Sequence, residues 1–304
     1  ASSAGWLAFS HVDVTDVPLA ALFVTALLAG LLRLQGAGRW AVWVCGAAVG
    51  FAVLAKGLVA CVLLLPLLYF ARGQWKDSVW AGVAALLVAG PWYAAVTAVN
   101  GWAFIDMFFI RHHFSRFASQ DLRHVQPFWF YLPVMLGLMF PWTAMAPSLP
   151  RELWKENWAR ITGVSLAFGF VFFSASTNKL PGYILPLLPL YLALLATSAV
   201  RYEHPARTFG LTGILLSLIP SIGAILPAAL LYGLGKADWG LLPWQYVAVS
   251  LPFAASAWVL ARRGKVAAAV AVLSITMLAG TGWVKLSAWP VLDEVVSARG
   301  LYKR

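Results

Sequence analysis

Between Phe109 and Pro133 the chain reads FIRHHFSRFASQDLRHVQPFWFYLP, and six of those side chains carry or can carry positive charge: Arg111, His112, His113, Arg116, Arg123 and His124. His112 and Arg116 lie four apart and His113 and Arg116 three apart, the spacings that share one face of a helix. Such a face can hold a phosphate, because Arg116 offers a planar fork of donors and each imidazole adds another. Aromatic residues fill the rest of the stretch, so the same pattern also suits an amphipathic helix lying in a membrane interface and binding anionic headgroups. The use of Arg and His without Lys favours the phosphate clamp, and both readings stand.

Three further places could join that chemistry. In FFSASTNKLPGYILPLLPLY, Lys179 sits in a short polar break. Pro181 disfavours helix at Leu180, so the backbone should turn there and present Lys179 and Tyr183, either as a phosphate contact or as a lysine snorkelling at a helix end. Lys56 interrupts the apolar LAKGLV and carries the same two readings. HVDVTDVPLAALF places His11, Asp13 and Asp16 just before an apolar run. Their spacing could bring nitrogen and oxygen ligands to one divalent metal. A carboxylate at a helix start is equally an ordinary capping group.

The elements that must position these residues are membrane helices. Hydrophobic residues make up 62% of the chain and charged ones 11%, with a mean hydropathy of +0.80. A soluble domain is about half apolar and about a quarter charged. The class is therefore all-α, a polytopic helical bundle, and the periodicity-free apolar runs predict about ten transmembrane helices near residues 17–32, 40–55, 58–71, 78–98, 128–148, 161–177, 183–200, 209–232, 242–261 and 266–287. Lys56-Gly57 should form a tight turn near one membrane face, since a charge in mid-span is costly. Pro18 suits the first turn of its helix.

Charge then orients the bundle. Twelve of the 22 Lys and Arg fall in five alternate short loops, around Arg33 and Arg39, Arg72 and Lys76, Arg151 to Arg160, Arg201 and Arg207, and Arg262 to Lys265. Those loops should be cytoplasmic. The net charge of +11 is thus accounted for by topology and gives no reason to expect nucleic acid. The opposite face carries HVDVTD, the Lys56-Gly57 turn, a loop over 99–127, STNKLPGY, GKADWG and the C-terminal tail. The domain reading is one transmembrane domain over 1–288, with the outer loop at 99–127 and a short outer-face tail over 289–304. Cys45 and Cys61 lie in apolar runs without disulfide or metal-ligand spacing. No phosphate-binding glycine loop, dinucleotide fingerprint, nucleophile elbow or zinc-protease motif occurs.

FIRHHFSRFAS, QPFWFYLPVMLGLMFPW and FFSASTNKLPGYILPLLPLYLALL, with VDVTDVPLA and LAKGLV ahead of them in the same order, resemble the membrane domain of the aminoarabinose lipid A transferases. These belong to the protein O-mannosyltransferase-like GT-C glycosyltransferases, and the resemblance runs from about residue 11 to about residue 200. It implies a GT-C type bundle that moves a sugar from a polyprenyl phosphate carrier to a lipid A-type, other lipid or glycan acceptor. The site would face the periplasm from a bacterial inner membrane. It also implies that Lys56, His112, His113, Arg116 and Lys179 hold the carrier phosphate with Tyr183 positioning it, that Asp16 is a catalytic acidic group, and that a divalent metal such as zinc is a candidate cofactor.

The family's principal carboxylate lies in an outer loop that would precede Ala1, together with about three more spans. His112 stands where aminoarabinose transferases tend to carry Glu, which leaves the sugar open. The alternative function is a lipid-linked sugar transporter, which should bury ionisable residues in mid-span. Here they gather at one face instead.

Overall fold

The computed structural model describes residues 2–10, 14–107, 125–145, 149–201, 209–215, 242–283 and 285–286. Its elements, in chain order, are α1 (Ala4–Phe9), α2 (Asp16–Leu34), α3 (Trp40–Lys56), α4 (Val59–Leu63), α5 (Leu65–Phe70), α6 (Trp75–Ile105), α7 (Tyr131–Met139), α8 (Asn157–Ala175), α9 (Leu188–Arg201), α10 (Leu242–Arg262) and α11 (Val266–Trp283). Residues 209–215 are also helical, and short 3-10 turns cover Phe128–Phe130, Trp142–Met145, Arg151–Lys155 and Pro181–Leu187. Among the described residues no strand forms beyond one isolated bridge, Val125 with Asn178. The chain is a multi-pass helical membrane protein. Among the described residues, five stretches are long and apolar enough to cross a bilayer, Asp16–Leu34, Arg72–Phe104, Asn157–Ala175, Pro181–Arg201 and Val266–Trp283, with shorter apolar helices between them.

The chain divides into two compact units. In the unit formed by 8–138 and 150–194, α2 buries Leu19, Ala20, Phe23, Ala26 and Leu27, the i, i+3, i+4 pattern of one helix face. α3 turns back along α2 after Gly36, whose φ of 97° suits only glycine. α3 then packs on α6 through Gly46 and Gly50, four apart. A Cβ at Gly46 would lie 2.2 Å from the Ala81 carbonyl oxygen, and one at Gly50 would lie 2.7 Å from that of Ala85. Lipid offers no hydrophobic driving force between helices, so close backbone approach at small residues supplies the packing. The other side of α6 exposes Leu86, Leu87 and Trp92, as a lipid-facing surface should. Arg33 closes the far end of α2 by bonding Asp77 of α6 at 2.7 Å and the Ala37 carbonyl at 2.8 Å.

In the unit formed by 1–7, 139–149 and 195–304, α10 and α11 make an antiparallel hairpin through Gly264 (φ 74°), and 209–215 lies on α10, with Gly210 against Trp258 and Gly213 against Ala254.

Most predicted spans match helices to within a few residues, and the differences have local causes. The run expected at 58–71 is two helices, because Pro66 has no N–H to continue the α4 ladder. The run expected at 128–148 gives α7 and then a 3-10 turn, with Pro141 between them. The span over 78–98 continues as helix to Ile105, broken at Gly101 (φ 63°, ψ −156°). Most of 209–232, the interfacial helix and the tail lie outside the described residues.

Candidate functional site: a carboxylate, a lysine and a tyrosine at one end of the bundle

α2 begins at Asp16 after Thr15, and no side chain caps its first turn. Asp16 therefore stands in the first helical turn and not at the N-cap position. α3 ends at Lys56 because Gly57, at φ 73° and ψ −153°, turns the backbone out of the helix. Antiparallel neighbours bring the start of one helix beside the end of the other. Asp16 thus sits at the positive end of the α2 dipole and Lys56 at the negative end of the α3 dipole, each the favoured sign. The two meet directly, the Lys56 ammonium donating to an Asp16 carboxylate oxygen.

The third member comes from the turn that Pro181 starts. Leu180 is extended at φ −119° and ψ 145°, as a residue before proline should be, and Pro181–Leu187 follows as a 3-10 turn packed on α2. Its Tyr183 ring lies under Lys56, with the ammonium 4.6 Å from the ring centroid, a cation–π contact. Gly182 leaves no room beside it: a Cβ there would come within 2.9 Å of Phe9 Cε1 and 3.0 Å of an Asp16 carboxylate oxygen. Buried Leu19, Ala52 and Ala60 form an apolar cluster, with Leu22 and Val59 packed against it, three to six residues along the chain from Asp16 or Lys56. A charge pair set on such ground interacts more strongly than in water. The Asp16 side chain is 10% exposed and that of Lys56 22%, so the lysine is the more open member of the pair.

Asp16, Lys56 and Tyr183 are thus brought together from positions 40 and 127 residues apart. Lys179 is placed in the link before the turn, 4% exposed, where its ammonium donates to the carbonyls of Ser176 and, at 3.0 Å, Gln126. Burial away from water pushes its pKa below the ordinary lysine value. His112, His113, Arg116, His11 and Asp13 lie outside the described residues. Sequence reasoning missed Gly182, Phe9 and Tyr131. Tyr131 is fully buried, and its hydroxyl donates to the Leu180 carbonyl at 3.1 Å. The Gly next to Tyr183 in a proline turn was the one available signal, for a close approach.

Among the described residues no three His, Cys, Asp or Glu side chains gather, and Asp16, the one described member of the proposed ligand set, is taken by Lys56. No step is derived through a metal.

This fold, with an ion pair at one end of a helical membrane bundle, is that of a GT-C glycosyltransferase. It superposes on the crystal structure of ArnT from Cupriavidus metallidurans bound to undecaprenyl phosphate with a TM-score of 0.73 and 26% identity, covering 92% of this chain and 54% of that one. The chain is related to the undecaprenyl phosphate-alpha-4-amino-4-deoxy-L-arabinose arabinosyl transferases. It is 34% identical to transferase 2 of Pseudomonas fluorescens over 73% of this chain and 43% of that protein, and 38% identical to the transferase of Pseudomonas aeruginosa strain UCBPP-PA14 over 49% and 29%. The chain therefore spans about half the length, or less, of the relatives it matches. No family model matches it.

Proposed function

We propose that the protein transfers a sugar from a polyprenyl phosphate carrier to an acceptor on the outer face of a bacterial inner membrane. Lys56 supports this reading most directly. It is a lysine with 22% of its side chain exposed, held in place by a buried carboxylate and an aromatic face, at one end of a membrane bundle. In such a transfer the acceptor oxygen attacks the anomeric carbon and the bond from that carbon to the carrier phosphate breaks. The electron pair leaves on the phosphate. Charge therefore develops on the phosphate, and a fixed cation aimed at it stabilises the transition state more than the ground state.

Lys56 supplies that cation in our reading, and Asp16 keeps it charged and oriented. Asp16 is also the carboxylate at hand for the proton of an acceptor hydroxyl. Tyr183 closes the cation from below, and Arg116, His112 and His113 of the basic stretch add donors for the same phosphate. The relatives' names carry 4-amino-4-deoxy-L-arabinose, and we propose that sugar, with a lipid A-type molecule as acceptor.

The test is transfer from a polyprenyl phosphate sugar by the full-length protein in proteoliposomes. Lys56→Met should lower turnover by about 100-fold or more, the usual size of a lost charge-stabilising donor, while the protein still inserts. Turnover within twofold of wild type would remove Lys56 from the reaction.

A further inference from the structure

The link from Ser176 to Leu180 is fastened to the segment entering α7 by contacts that the proposed chemistry does not use. Val125 and Asn178 form an antiparallel bridge. The Gln126 amide donates to the Thr177 carbonyl at 3.5 Å, and the Ser176 hydroxyl to the Asn178 carbonyl at 3.1 Å. The Tyr131 hydroxyl holds the Leu180 carbonyl. At the centre lies the Lys179 ammonium, shared between Ser176, three residues back, and Gln126, 53 residues back. A lysine is seldom so fully buried, and burying its charge is costly unless fixed acceptors replace the lost water. Two carbonyls here do so.

The two segments that this lysine joins are not arbitrary. Gln126 comes two residues after His124, the last group of the basic stretch, and lies in the segment entering α7. Tyr183, four residues after Lys179, carries the face on which Lys56 rests. Two of the three donors of the ammonium are committed to backbone oxygens, which suits a fastener better than a ligand contact.

We infer that Lys179 is a positioning residue: it clasps Gln126, in the segment entering α7, to the turn that carries Tyr183, and so sets where the Tyr183 face stands relative to Lys56. The inference rests on the carrier-phosphate reading of that site. It also separates Lys179 from Lys56, which would touch the phosphate itself.

The experiment measures binding of undecaprenyl phosphate to the full-length protein in detergent. Lys179→Met should weaken binding by about tenfold or more, since displacing a binding group by an ångström costs up to about 100-fold. Lys179→Arg, which can still reach both carbonyls, should retain most of it. Combining Lys179→Met with Tyr183→Ala should cost little beyond the worse single variant, because Lys179 acts through the turn that carries Tyr183.

The decisive arm is covalent. Partners across an antiparallel bridge have Cα atoms about 4.5–5.5 Å apart, within the span of a disulfide. With native cysteines changed to Ala, Val125→Cys and Asn178→Cys should restore binding to Lys179→Met when oxidised and lose it again when reduced. The same pair applies if Lys179→Met alone does not fold, and oxidation must then restore both fold and binding. Normal binding by Lys179→Met would overturn the inference. So would a loss that adds fully to that of Tyr183→Ala, or a fold restored by the disulfide without binding. Normal binding by both Lys56→Met and Arg116→Ala would instead overturn the reading of the site.

Discussion

A double-mutant cycle on Asp16 and Lys56 tests the physical basis of the site. The carboxylate is 10% exposed and the lysine side chain 22%. Removing one member of a buried ion pair leaves the other charge without its partner, at a cost of about 3–5 kcal/mol, whereas removing both is often close to neutral. Lys56→Met strands the more enclosed group and belongs at the upper end, about 5 kcal/mol. Asp16→Asn strands a cation that water partly reaches and keeps an oxygen to accept from it, so about 3 kcal/mol or less is expected. The double variant should then lie within about 2 kcal/mol of wild type, far short of the two single losses together. Reversible unfolding of the full-length protein in mixed micelles, followed by tryptophan fluorescence, gives all three values. Transfer should be lost in every variant, including the stable double. If the double variant were as unstable as the two singles combined, the pair would carry no coupling and the account of why Lys56 is held in place would be wrong.

Gly182→Ala should push the Asp16 carboxylate aside, since its Cβ would stand 3.0 Å from that oxygen; overpacking of this kind costs about 1–3 kcal/mol, and turnover should fall more than thermal stability does. Gly46→Ala meets a backbone carbonyl at 2.2 Å and should destabilise by about 2 kcal/mol. Gly82→Ala on α6 meets nothing within 4 Å and should be neutral or stabilising by up to about 1 kcal/mol; equal effects in the two would contradict the α3–α6 packing. Because the fold lowers the Lys179 pKa, the unfolded chain binds more protons between that lowered value and the ordinary 10.5. Stability should therefore rise with pH across that alkaline window in wild type, and this component should be missing in Lys179→Met when unfolding is measured at successive pH values.

Hydropathy made the spans legible because the thickness of a bilayer sets how long an apolar run must be. α2 and α3 fall within two residues of the runs predicted at 17–32 and 40–55. What it could not weigh was proline inside an apolar run, so Pro66 and Pro141 broke helices read as continuous. The site was half legible. Charge alternation put Asp16, Lys56 and Tyr183 on one face, and the Lys56-Gly57 turn and extended Leu180 followed from residue type. That the three touch depends on α2, α3 and the Pro181 turn packing in one register, which spacing along the chain does not contain. The enclosure of Lys179 was not legible for the same reason. Its turn was foreseen, but its partner Gln126 lies across the fold, and nothing local tells a presented lysine from an enclosed one.

The central claim is that Lys56 and its partners hold the phosphate of a polyprenyl carrier. The most direct measurement compares binding of undecaprenyl phosphate and of the phosphate-free polyprenol to the full-length protein, in wild type and in Lys56→Met. The account predicts that wild type binds the phosphate form far more tightly and that Lys56→Met loses most of that preference while still accepting the chain. Equal affinity for the two lipids in wild type, or an undiminished phosphate preference in Lys56→Met, would contradict it.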